Sequence, residues 1–179
     1  MVSTRVFVAA STFLLLLAFG SEWLAFESDN AHFGYTTFDI ANNLGSTYGP
    51  CACPLSNSSI DGWFWHLIAP ILVAPGVLLL AMIAFPIGFV LSAVSLFRWK
   101  LMVVAGALSL LSGLFWIVGL NPVQSQVVRG LNSWHGYLGR SASSAVWAQV
   151  GPYIAVVGGV ILLAGYALSR MEMLEMPID

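Results

Sequence analysis

Residues 63–97 read WFWHLIAPILVAPGVLLLAMIAFPIGFVLSAVSLF, with no Asp, Glu, Lys or Arg anywhere among them. A bilayer core about 30 Å thick takes about 20 apolar residues as a helix, so this stretch is a membrane segment with length to spare. At 1.5 Å per residue it would measure about 52 Å. Pro70, Pro75 and Pro86 each remove a backbone donor within it and favour bends. One kinked helix is expected, projecting beyond the outer surface, with Trp63, Trp65 and His66 as interfacial anchors at its start. A re-entrant break between Pro70 and Gly76 is the competing form.

Working outward, three more segments have the length and apolarity of a span: residues 6–26, 101–120 and 146–168. Lipid offers no partner to unpaired backbone groups, and these runs lack the alternation of strands, so helices are expected. The expected fold is an all-α membrane protein: a single four-span domain over residues 1–179, with outer connections at 27–62 and 121–145. Residues 6–26 have a second reading, because Arg5, an apolar run and Ala18-Phe19-Gly20 also fit a cleavable signal peptide. Trp23-Leu24-Ala25-Phe26 continues the apolar character and favours a retained helix. Glu22 then lies one turn inside the outer end of that helix as a solvated carboxylate.

The whole composition agrees. Of 179 residues, 59% are hydrophobic and 8% charged, and the formal net charge is −2. Soluble domains carry about 25% charge, and nucleic-acid binders need a basic face, so neither class fits. Charge placement sets the orientation. With both termini in the cytoplasm, Arg5, Arg98, Lys100 and Arg170 lie inside and only Arg129 and Arg140 outside. Residues 27–62 contain no Lys or Arg, and they carry Glu27, Asp29, Asp39 and Asp61. A multi-pass protein of the cell membrane is the expectation.

Small residues mark where helices approach in lipid. Gly151, Gly158 and Gly165 recur every seven positions, with Ala148 and Ala155 between them, and Gly106, Ser109 and Gly113 form a second stripe. Such spacing favours left-handed crossings near about +20°. The two stripes are expected to pack on each other or to present a face to a second copy or another membrane protein.

The outer connections carry the remaining candidates. Phe33-Gly34-Tyr35-Thr36-Thr37-Phe38 suits a short strand within a small sheet, and Asn42-Asn43-Leu44-Gly45 a turn. A short helix is expected near Pro122 to Leu131. Cys51 and Cys53 lie on the side where disulfides persist, and a bond between them would close a very small, strained ring. Free or lipid-modified thiols, an intermolecular bridge, and a redox or metal role with His32, His66 and His135 are the alternatives. Asn57-Ser58-Ser59 fits a glycosylation acceptor. No catalytic constellation, charge relay or cofactor motif crosses the spans.

Four spans, inside termini, a larger first outer loop with strand-like sequence and a cysteine pair, and a shorter second loop resemble claudin-like and tetraspanin-like proteins. The texture of Ala105-Gly106-Ala107-Leu108 through Ser112-Gly113-Leu114-Phe115-Trp116 is similar to theirs. The resemblance implies a non-enzymatic role in organising membranes or partner proteins through the outer loops, and assigns no residues. An accessory subunit of a larger respiratory or transport complex is the alternative. The layout also resembles the disulfide-forming quinone reductases, which would make Cys51 and Cys53 a thiol relay.

Overall fold

The first helix, α1 (Thr4–Gly20), stops where Gly20 and Ser21 weaken helical propensity, and the Ser21 hydroxyl donates to the Leu17 carbonyl at 2.6 Å. In the computed structural model, which describes residues 4–28, 31–48, 76–137 and 144–174, the chain then turns directly into strand. Strand β1 (Glu22–Ser28) pairs antiparallel with β2 (Ala31–Thr36) and, from far along the sequence, with β3 (Ser144–Ala148). β1 is the central strand. The expected span over 6–26 is therefore corrected: Trp23 to Phe26 are strand, and Glu22 opens that strand instead of lying inside a helix.

Helix α2 (Thr37–Tyr48) follows β2 without a linker. It replaces both the strand end expected at Thr37 and Phe38 and the turn expected at Asn42 to Gly45. A reciprocal cap explains the switch. Thr36 donates to the Asp39 carboxylate through its backbone N–H (3.0 Å) and its hydroxyl (2.7 Å), and the Asp39 N–H returns to the Thr36 hydroxyl oxygen at 3.2 Å.

Three long helices complete the chain: α3 (Val77–Ser95), α4 (Leu101–Tyr137) and α5 (Val150–Leu174). Val77–Ser95, Leu101–Gly130 and Val150–Met171 are each long and apolar enough to cross a membrane, while α1 is a shorter apolar helix. α4 has 37 residues, about 55 Å at 1.5 Å per residue. It absorbs most of the connection expected at 121–145, because Pro122 deletes a single helical hydrogen bond and Val128 finds core to pack on beyond it. The fourth expected span is likewise shifted, since Val146 to Ala148 belong to β3.

The four long helices form a ring. α3 packs on α4, α4 on α5 and α5 on α1, and the α1–α3 seam that closes the ring is the weakest of the four. Hydroxyls bridge the seams. Ser11 donates to the Gly158 carbonyl at 2.7 Å, Ser112 to the Ala81 carbonyl at 2.6 Å, and Thr12 meets Ser92 at 2.7 Å. In lipid such bonds contribute about 0.6 kcal/mol each on average. At one end Thr4 meets Ser169 (2.6 Å) and Trp99 stacks on Tyr166 with ring centres 5.4 Å apart. That end gathers Arg5, Arg98, Lys100 and Arg170. The sheet occupies the other.

Candidate functional site

Trp23 fastens the sheet to the helices. The register of β1 on β2 slips between Glu22 and Leu24, so Trp23 has no partner position on β2. Trp23 accepts, on its carbonyl oxygen, the Trp116 indole N–H at 2.8 Å and the Gln149 amide at 3.2 Å. Its own indole N–H donates to the Ala18 carbonyl at 2.8 Å, closing the corner from α1. The Trp23 ring lies 4.6 Å from Phe85 and 5.7 Å, edge to face, from Trp116, and all three rings are fully buried. Gly151 admits it: a Cβ there would collide with the Trp23 ring. One residue thus joins α1, α3, α4, α5 and the sheet.

The sheet has two different faces, as the two-residue period of strands requires. One carries Leu24, Phe26, Tyr35 and Val146, all buried, with Phe26 stacked on its cross-strand partner Phe33 at 4.6 Å. These buried residues belong to the same cluster that Val128, from the far half of α4, packs against. The other face presents Glu27, His32 and Trp147. The Glu22 carboxylate folds over Gly34, where a Cβ would overlap it, and reaches His32 Nε2 at 3.9 Å. His32 also lies 5.8 Å from the Trp147 ring. Glu22 and His32 are about half exposed, so the pair contributes at most about 1 kcal/mol and acts chiefly to hold the side chains in place. Each strand contributes one member: Glu22 from β1, His32 from β2 and Trp147 from β3.

That arrangement offers an indole beside a carboxylate and an imidazole, the composition that anchors protein contacts: a rigid aromatic with oriented polar neighbours. No group of three or more His, Cys, Asp or Glu side chains able to hold a metal occurs among the described residues.

The expected glycine stripes are drawn to different partners. Gly151 lies against Trp23, Gly158 against Leu15 and Gly165 against Phe7, so this stripe faces α1 and the turn after it. Gly106 meets Leu163 and the Gly159 carbonyl, and Gly113 meets Pro152 and Val156. The α4–α5 approach therefore depends on Gly159, the neighbour of the heptad residue, and the adjacent glycines 158 and 159 serve two different helices. Ala155 is buried, and Ser109 faces Gly88 on α3. Cys51, Cys53, Asn57, Trp63, Trp65 and His66 lie outside the described residues.

Sequence reasoning missed Trp23 and the face around His32. Two signals pointed there: Gly20-Ser21 breaks the first apolar run, and Trp23 to Phe26 is rich in strand-favouring aromatics. No family model matches the chain, and no curated protein is similar to it.

Proposed function

We propose that this chain is a non-enzymatic integral membrane protein that organises partner membrane proteins, or further copies of itself, through its sheet-bearing end. In this reading α1 is a fourth crossing beside α3, α4 and α5, since its 17 residues give about 25 Å of helix, close to the bilayer core. The four cross as a left-handed bundle in the cell membrane with both termini in the cytoplasm. Support for that orientation comes from Arg5, Arg98, Lys100 and Arg170 at one end and the Glu22 and Glu27 carboxylates at the other. A claudin-like or tetraspanin-like scaffold or adhesion role follows from the same layout.

The observation that carries the reading is the partly exposed Glu22–His32–Trp147 face on a sheet welded to every long helix. A surface so fixed loses little side-chain freedom on binding, which favours recognition. The test replaces Trp147 with a photoreactive phenylalanine in native membranes. Cross-links to a second copy or to a recurring membrane protein, abolished by His32→Ala together with Glu22→Ala, are expected. Cross-links to lipid headgroups alone would overturn the reading. A purified heteromeric complex that absorbs visible light and keeps its composition in the double variant would favour the accessory-subunit role instead.

A further inference from the structure

Along the weak α1–α3 seam, α2 bridges the gap at the sheet end. The Thr37 hydroxyl donates to the Phe19 carbonyl at 3.3 Å, tying the start of α2 to the last turn of α1. Phe19 stacks against Phe85 and Phe89 at 6.3 and 6.1 Å and forms the inner wall. Between these walls lies an open cavity of about 360 Å³, roofed by Phe38 and Ala41 and floored by Leu79, Met82, Ile83 and Pro86. Its lining is apolar except for Thr37, whose hydroxyl is already engaged.

We propose that this groove holds one acyl chain of a membrane phospholipid from the leaflet on the sheet side. Four observations select that occupant. First, the groove opens onto the outer stripe of α3, where Leu80, Ile83, Ile87 and Val90 are exposed, and α3 is a helix apolar enough to lie in lipid. The medium at its mouth is therefore acyl chain. Second, its depth lies within one leaflet: from Leu79 to Pro86 α3 descends about 10 Å, against about 15 Å for half of the bilayer core. Third, its free space falls short of a partner helix. Two turns of a helix about 10 Å across occupy about 850 Å³, against about 770 Å³ here with the open mouth included. Fourth, water needs two to four polar partners to stay in a cavity, and the only lining hydroxyl has spent its proton on Phe19. A flexible chain fills such a slot at little cost, and α2 at the polar boundary would hold its ester end close to the surface.

The proposal requires only that α3 lies in the bilayer, so it stands or falls separately from the scaffold role. The full chain is placed in phosphatidylcholine nanodiscs containing a little phosphatidylcholine with a diazirine along one acyl chain. After photolysis, label on Phe38 to Ala41 and Leu79 to Ile83 should exceed several-fold the label on Val157 and Val160, which are as exposed on α5 as Ile83 is on α3. Ala41→Trp, at an exposed position of α2, should fill the slot and bring the α3 label down to the α5 level. Ile83→Trp provides the same block from the other wall. Equal labelling of α3 and α5 in the parent protein overturns the proposal. So does α3 label that persists in a tryptophan variant with the parent's melting temperature. If both variants unfold, the ratio measured in the parent still decides.

Discussion

The indole N–H of Trp116, midway along α4, donates to the backbone carbonyl of Trp23 across 93 positions of sequence, at 2.8 Å and wholly out of solvent. This bond and the edge-to-face contact between the two rings register the sheet against the longest helix.

Trp116→Phe removes the donor and keeps most of the ring. The Trp23 carbonyl retains the Gln149 amide, so it is not left unpaired, and the loss should be about 0.5–1.5 kcal/mol. Trp116→Ala adds a cavity and should cost about 3–5 kcal/mol. Amide exchange in β1 and β3 should rise in both variants before exchange in α5 does. Uniform protection throughout would show that the sheet does not depend on this bond.

Gly158 and Gly159 differ in what a side chain would meet. A Cβ at 158 would stand 2.9 Å from the Leu15 side chain, which can rotate. At 159 it would stand 2.6 Å from the Leu110 nitrogen and 2.7 Å from the Gly106 carbonyl, which are backbone. Overpacking costs about 1–3 kcal/mol, and Gly159→Ala should fall at the upper end with Gly158→Ala at or below the lower. Melting of both variants in one detergent checks the order; a reversed order would place the tight crossing at α1 instead of α4.

Ser109 carries a buried hydroxyl with no hydrogen-bond partner among the described residues. Ser109→Ala removes a desolvated polar group and breaks no bond, so stability should hold or rise by up to about 1 kcal/mol. Marked destabilisation, read by chemical denaturation in micelles, would reveal a partner for that oxygen.

Asp39→Ala opens the cap at the start of α2. Loss of an N-terminal cap costs about 0.5–2 kcal/mol, and the effect should be local: faster exchange over Phe38 to Asn43 with α3 to α5 unchanged. Asp39→Asn, which keeps an acceptor, should recover most of the protection.

The apolar runs were legible because a bilayer imposes a single rule on long segments, and charge-free stretches such as residues 77–95 obey it. The sheet was only half legible. Phe33 to Thr36 alternates as strands do, but Trp23-Leu24-Ala25-Phe26 is buried on both faces and reads like the end of a helix. Its partner β3 comes from the other end of the chain, and no local pattern encodes that pairing. α2 was hidden because Thr36-Thr37-Phe38-Asp39 continues a strand by composition, and the cap that ends it is a three-residue relation. The Glu22–His32–Trp147 face depends on strand register, which a linear reading does not contain.

The placement of β1 between β2 and β3 has a consequence for biosynthesis. Leu24 pairs with Ala148, so one edge of β1 gains its partner only after about 120 further residues have been made. At about 5–20 residues per second that interval lasts roughly 6–25 s, during which β1 offers an open row of hydrogen-bonding groups beside its neighbour β2. The sheet is thereby a completion mark: it closes only once the last long helix has begun to emerge, and a chain truncated before residue 144 displays an unpaired edge that a quality-control protease or chaperone can read.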